Sequence, residues 1–323
     1  MRKRLLLFIL LGWVLLIIGD RVDELRVYQG AQIAMYTIAL SSIVLLTGYS
    51  GQVSLGNGAM MAVGGYAAAL TLNNLQTPIW FAFLMAILAS AVFGALLGAS
   101  AARLSGPYLA GTTLALAVGL PALANQFEFL GGEQGILFDV GFPPERFGEE
   151  FSQYKWFFWI ATFIALVSIF ITSNILHSRF GRTWRAIRGN SLAAELAGIH
   201  SARMKVLAFT ISSAIAGLAG AVLAMTISLV SPGAYTLSLS FALVTGAVLA
   251  GISSLPGVML GAVILVAIPE IADVVAHRLG DSEKVITHLP GLIVSVLLIL
   301  SVIFTPNGPG ENLRKLRHKK SAH

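Results

Sequence analysis

Residues 156–176 read WFFWIATFIALVSIFITSNIL, and the chain then turns polar at HSRFGRTWRAIRGNSLAAELAGIHSARMK, 177–205, before another apolar run over 206–230. The first run carries no charge and, as a helix rising about 1.5 Å per residue, crosses a hydrocarbon core about 30 Å thick. The polar stretch between two such runs carries six of the chain's 21 basic residues. An apolar run, a basic loop and a second apolar run describe a chain that crosses a bilayer and returns on its basic side.

The same pattern extends in both directions. The 323 residues are 56% hydrophobic and only 11% charged, with mean hydropathy +0.82. Soluble domains carry about 25% charged residues, so lipid must cover much of this apolar surface. Spans are expected near 5–19, 29–47, 58–72, 79–102, 107–127, 156–176, 206–230, 237–254, 258–276 and 286–304. The expected fold is an all-α polytopic membrane protein with about ten transmembrane helices, some broken or re-entrant. MRKR followed by Leu5–Ile18 reads as a first anchor rather than a cleaved leader, because no small-x-small cleavage pattern follows.

Charge sets the expected orientation. With both termini cytoplasmic, the inner stretches are 1–4, 48–57, the region of Arg103, 177–205, 255–257 and the tail from 305. They hold 15 of the 21 Lys and Arg but two of the 15 acids, Glu195 and Glu311. Basic residues concentrate on the cytoplasmic side. The 128–155 segment becomes an external loop, acidic and turn-rich, with Glu128, Glu133, Asp139, Glu145, Glu149, Glu150 and Pro143-Pro144. The basic tail 305–323 is solvated or rests on anionic headgroups. One transmembrane domain over 1–323 accounts for the whole chain. Small-residue pairs, Gly94 with Gly98, Gly257 with Gly261 and Gly217 with Gly220, suit close helix packing. LTGYSGQVSLGNGAMM (46–61) and LAGISSLPGVML (249–260) are weakly alike and both fall at inner turns, which hints at a parallel repeat.

Three segments carry function. GYSGQVSLGNGA, 48–59, places four glycines and several polar residues between two apolar spans. Non-helical backbone at membrane depth survives only where protein or a watery cavity satisfies it. A broken helix beside a solute pathway and an ordinary inner turn both fit, with Gly51, Gln52, Ser54, Gly56 and Asn57 as pathway candidates. GPYLAGTTLALAVGLPALANQ, 106–126, adds Thr112 and Thr113 and a kinking Pro121. The threonines could line the pathway or bond to their own helix. In the 177–205 loop, Arg179, Arg182, Arg185 and Arg188 recur every three residues as a stripe on a helix leaving the membrane. Ser191 is placed to cap a following helix and Gly198 to end it. Leu192, Leu196 and Ile199 then share one face. A helix of about two turns is unstable alone, so membrane or a partner protein must cover that face.

The loop resembles the cytoplasmic coupling loop of permeases in ATP-binding-cassette importers. More narrowly, the chain resembles the branched-chain amino acid permease family, which also serves urea and short amides. The resemblance rests on GYSGQVSLGNGAMMAVGGYAAAL (48–70), GPYLAGTTLAL (106–116), GGEQGI (131–136), the coupling segment 180–224 and SPGAYTLSLS (231–240), in the family's order. It implies a multi-pass protein of the bacterial inner membrane, a dimer with a second permease, two ATPase subunits at the cytoplasmic face and a periplasmic or extracellular solute-binding protein. It places coupling at Arg185, Ser191, Leu192, Ala193, Ala194, Glu195, Leu196 and Gly198. Leu192-Ala193-Ala194…Gly198 matches the family's Glu-Ala-Ala…Gly pattern with Leu in place of Glu. Asn57 stands where His is expected, 117–121 lacks an expected acid, and Ala250-Gly251-Ile252-Ser253-Ser254 replaces a Gly-Gly-x-Gly-Ser.

Other classes find little support. There are no cysteines, and no G-x-x-x-x-G-K-[ST] cradles a nucleotide phosphate. No catalytic residue, metal site or cofactor is expected, because none of the six histidines pairs at ligand spacing inside a span. No nucleic-acid partner is expected, since the excess positive charge follows membrane topology. An ion-coupled carrier would bury ionisable groups in mid-span. The candidates are Glu270, Asp273 and Glu128, all toward outer ends. Glu270 following Pro269 either faces a cavity, or sits at the interface or pairs with Arg278. A channel fits the composition but leaves the capped basic loop without a use.

Overall fold

The computed structural model describes residues 10–17, 19, 21–75, 77–104, 106–144, 147, 151–278, 289, 292, 293, 296 and 299. The expected last span, the basic tail, the start of the first span, Glu145, Glu149, Glu150, and the side chains of Asp273 and Arg278 lie outside the described residues.

The described chain is nearly all helix. Residues 10–17 are helical. The helices that follow are α1 (Glu24–Ile43), α2 (Asn57–Leu75), α3 (Ile79–Ala101), α4 (Pro107–Ala124), α5 (Gln153–His177), α6 (Arg179–Gly189), α7 (Ser191–Leu196), α8 (Ser201–Ile227), α9 (Leu237–Ala250) and α10 (Val258–Arg278). A π-helical stretch, Val44–Tyr49, extends α1. Five helical stretches are long and apolar enough to cross a membrane: Glu24–Tyr49, Ile79–Ala101, Gln153–His177, Ser201–Ile227 and Pro232–Ala250. Tyr108–Ala124 and Val258–Ala272 are shorter apolar helices. α2 falls outside both groups despite its 19 residues, because Asn57, Asn73, Asn74 and its glycines lower its hydropathy.

α3 displays the logic of a lipid-facing helix. Leu84, Leu88, Val92 and Leu96 recur every four residues and are exposed. On the opposite side Ala82, Ala86, Ser90, Gly94 and Gly98 are buried. Large apolar groups face out and small groups face in, the reverse of a water-soluble helix and the pattern expected where lipid is the solvent. α5 repeats the outward half of it with exposed Phe163, Val167 and Ile171, but buries Phe157, Ile160 and Ile164 on its inner side.

α8 is the central helix, packed most extensively on α3 and α2 and also on α1. Small residues bring the backbones together. A Cβ at Gly64 would lie 2.1 Å from the carbonyl oxygen of Gly217, and one at Gly220 would lie 1.8 Å from that of Met61. The expected Gly94/Gly98 pair behaves likewise, facing Ser213 and Phe209 of α8. α1 packs on α5, α8 and α10. Beyond the last residues of α2, a two-stranded antiparallel pair joins β1 (Ile136–Leu137) to β2 (Leu229–Val230), with Ile136 opposite Val230 and Leu137 opposite Leu229. Asn73 Nδ2 donates to the Leu137 carbonyl at 3.3 Å, tying α2 to that pair.

Candidate functional site: the α6–α7 segment and the break before α2

The chain leaves α5 through Ser178, which is extended (φ −76°, ψ −175°) and caps α6 by accepting from Phe180 N. The basic stripe therefore sits on a separate helix, not on a continuation of α5. Gly181, Trp184 and Ile187 bury one face of α6. Trp184 is fully buried, and its indole Nε1 donates to the Met204 carbonyl at 2.9 Å. This contact anchors α6 to the first turn of α8. The four arginines lie on exposed positions. Arg179 stacks over Phe180 and Arg185 over Tyr49, at 5.0 and 5.6 Å from the ring centres.

α7 is shorter than expected, with six residues. Its cap is Asn190 rather than Ser191. The Asn190 Oδ1 accepts from Ala193 N at 3.0 Å, which makes Ser191 the first helical residue. The carboxamide oxygen reaches the amide three residues on, the standard N-cap bond. Gly198 ends the segment as expected. Its φ is +85°, and Ile199 N reaches back to the Ala194 carbonyl at 3.0 Å. The left-handed residue explains the glycine. Ala194 is buried, whereas Ser191, Ala193, Glu195 and Gly198 are exposed. Leu192 and Leu196 are 66% and 83% exposed. Ile199 lies past the helix end and is half-buried. The pair of leucines is held out by a capped helix, and the described residues do not cover them.

The second region lies where α1 gives way to α2. Residues 50–56 are non-helical. Gln52, Ser54, Asn57 and Thr113 are each no more than 4% exposed. Leu55 N donates to Thr113 Oγ1 at 3.0 Å, Gly56 N to Ser54 Oγ at 3.2 Å, and Gly58 N to Ser240 Oγ at 3.1 Å. The break is thus satisfied by side chains from α4 and α9, as non-helical backbone away from water requires. Gln52 Nε2 donates to Ser50 Oγ at 2.6 Å and to the Lys205 carbonyl at 3.4 Å. Gln52 Oε1 and Asn57 Nδ2 are buried without a partner.

Ser54, Gly56, Asn57 and Thr113 come together, with Ser240 as a member that sequence reasoning quoted in SPGAYTLSLS but did not single out. Gly51 lies instead against the stem of Arg188, and its φ is +73°. Thr112 is exposed on another face of α4, bonded to the Leu109 carbonyl of its own helix. Thr113 also donates back to its own helix, at Leu109 and Ala110. Glu270 is exposed on α10. Among the described residues no cluster of His, Cys, Asp or Glu could hold a metal ion. At the far end of α2 a cleft of about 590 Å³ is lined by Asn73, Asn74, Glu128 and Phe129.

The chain is similar to known proteins over most of its length. It is 29% identical over 328 residues to the high-affinity branched-chain amino acid transport system permease protein LivM of Salmonella typhimurium, covering 94% of this chain and 73% of that protein. It is 26% identical over 294 residues to the LivH permease protein of Escherichia coli, covering 84% and 90%. A probable branched-chain amino acid transport permease protein LivM of Methanocaldococcus jannaschii is 25% identical over 237 residues, covering 70% of this chain and 67% of that protein. No solved structure matches the chain. The profile of one family, described as branched-chain amino acid transport system / permease component, matches residues 28–302, and the chain belongs to that family.

Proposed function

We propose that this chain is the membrane-spanning permease subunit of an ATP-driven importer, moving branched-chain amino acids or similar small solutes by alternating access. It has one transmembrane domain, about ten spans and both termini in the cytoplasm, in a bacterial inner membrane. Two ATPase subunits dock on the cytoplasmic face, a second permease completes the pore, and an extracellular or periplasmic binding protein delivers the solute. Solute enters from the side of the Asn73–Glu128 cleft and passes the break before α2. There Gln52 Oε1 and Asn57 Nδ2 are free to meet an ammonium or a carboxylate without any buried full charge, and Ser54, Thr113 and the backbone around Gly56 line the way, with Thr112 and Gly51 turned off it.

One observation carries the reading. α7 is a capped helix of six residues that presents Leu192 and Leu196 to the outside. So short a helix is not made for its own stability. Its rigid caps and bare leucines suit a groove on a partner, with Ala193, Ala194 and Glu195 shaping the fit, Arg185 beside it and Ser191 and Gly198 setting its ends.

The test is a mild-detergent pull-down of the tagged chain, comparing wild type with Leu192→Asp/Leu196→Asp. A nucleotide-hydrolysing subunit recovered with wild type and lost from a monodisperse double variant is the expected result. A well-behaved wild-type chain that retains no ATPase would sink the proposal and turn attention to a gradient-driven carrier, with Glu270 as the next residue to change.

A further inference from the structure

The last carbonyls of a helix have no amide of their own to bond. At the end of the π-helical stretch, Ser50 N returns to the Leu45 carbonyl and Gln52 N to that of Leu46, both at 3.2 Å. The Gly48 carbonyl is taken by other parts of the chain. Arg188 Nη1, from the last turn of α6, donates to it, and so does Ser253 Oγ at 3.3 Å. The same Arg188 nitrogen also donates to Ser253 Oγ at 2.9 Å. One guanidinium therefore joins three segments: α6, the end of the π-helical stretch that runs into the break before α2, and the 251–257 turn before α10.

The surroundings are built for this bridge. A Cβ at Gly48 would lie 2.0 Å from the Ile252 carbonyl oxygen, so the two turns touch backbone to backbone. A Cβ at Gly51 would lie 2.8 Å from Arg188 Cγ, so the arginine stem lies flat on that glycine. The joined turns are the two whose sequences, 46–61 and 249–260, are weakly alike. π-helical turns inside helices are also frequent at functional sites.

We propose that Arg188 is the positioning residue that carries movement of the α6–α7 segment to the break before α2 and to the 251–257 turn at once. This inference rests on the reading of α7 as the ATPase-docking element. A push on α7 reaches α8 through Trp184, and it reaches α2 and α10 through Arg188. Bonds to a charged donor are stronger than neutral ones and hold position under load. Without the bridge, ATPase subunits still dock and still hydrolyse ATP, but the break and the turn no longer follow.

The experiment uses the assembled transporter in proteoliposomes. It reads three quantities: ATPase retained on purification, ATP hydrolysed, and leucine taken up per ATP. Retention of ATPase by the wild type is read first, and its failure would refute the docking reading itself rather than this inference. Arg188→Ala is expected to retain the ATPase and to lose about tenfold or more in uptake per ATP. Arg188→Lys, which keeps a charged donor, recovers part of the loss. Arg182→Ala, on the same helix but with a side chain whose bond among the described residues is to the nearby His177 carbonyl, leaves the ratio unchanged. Where Arg188→Ala does not fold, Ser253→Ala removes one member of the bridge without touching α6 and lowers the ratio to a smaller extent. Wild-type uptake per ATP in Arg188→Ala, or in Ser253→Ala where that variant stands in, overturns the proposal. Loss of the ATPase from an otherwise folded Arg188→Ala also overturns it, by making the residue part of docking.

Discussion

Replacing Gly64 by alanine tests the packing of α2 on the central helix. The new Cβ would stand 2.1 Å from the Gly217 carbonyl oxygen and 2.4 Å from both Gly217 C and Cα. Ordinary contact begins at 3.4 Å, so the two backbones must part by 3.4 − 2.1, or about 1.3 Å. The obstacle is main chain, which cannot rotate aside as a side chain can. Overpacking costs about 1–3 kcal/mol, and the rigid obstacle argues for the upper end. Against it stands a gain of up to about 1 kcal/mol from removing a glycine inside a helix. The net expectation is a loss of about 2 kcal/mol. The assay is thermal unfolding of the purified protein in one detergent, followed by intrinsic tryptophan fluorescence. Gly111→Ala is the control, since a Cβ there meets nothing within 4 Å and only the helix-propensity gain remains. Gly64→Ala should melt below wild type and Gly111→Ala at or above it. A Gly64→Ala protein as stable as the control would show that α2 and α8 are not in backbone contact at this level, and the packing argument would fall with it.

Other changes probe the site. Trp184→Ala removes a fully buried indole and its bond to Met204; a loss of about 3–5 kcal/mol is expected, with proteolysis around 178–200 as a sensitive readout of α6 coming loose. Gly198→Ala forces a side chain into φ +85°, costing about 1–2 kcal/mol; ATPase retention should weaken without loss of membrane insertion, and unchanged retention would deny Gly198 a role in shaping α7. Gln52→Ala and Asn57→Ala remove the two unpartnered atoms at the break, Gln52 Oε1 and Asn57 Nδ2; uptake or solute preference should change while ATPase retention does not, and wild-type kinetics in both would remove them from the pathway. Tyr235→Phe deletes the hydroxyl that donates to the Gly220 carbonyl at 3.0 Å; a loss of about 1 kcal/mol in thermal stability is expected.

Much of the architecture was legible because apolar run length is a one-dimensional property. The runs at 29–47, 79–102, 156–176 and 206–230 match helices Glu24–Tyr49, Ile79–Ala101, Gln153–His177 and Ser201–Ile227 closely. The C-terminal signal of α7 was equally local, since a glycine after an apolar turn needs no distant partner. The N-terminal cap was missed by one residue. Asn190 and Ser191 both carry capping side chains, and only the backbone angles decide which lies outside the helix. Ser178 was missed for a similar reason, because a break between two helical patterns leaves no gap in periodicity.

The sequence alone determined that the chain needs lipid, where its long apolar helices over 29–47, 79–102, 156–176 and 206–230 run, and that a capped basic segment interrupts them. Those properties depend on composition and on neighbours three or four residues apart. Only the tertiary structure decided what the polar groups meet. Thr113 bonds both its own helix and Leu55, 58 residues away. Ser240 supports Gly58 from a distance of 182 residues. Arg188 looked like one of four equivalent arginines, yet it alone of the four reaches both Gly48 and Ser253. A hydrogen bond is set by direction over about 3 Å, and no periodicity along the chain records which distant segment folding brings within that reach.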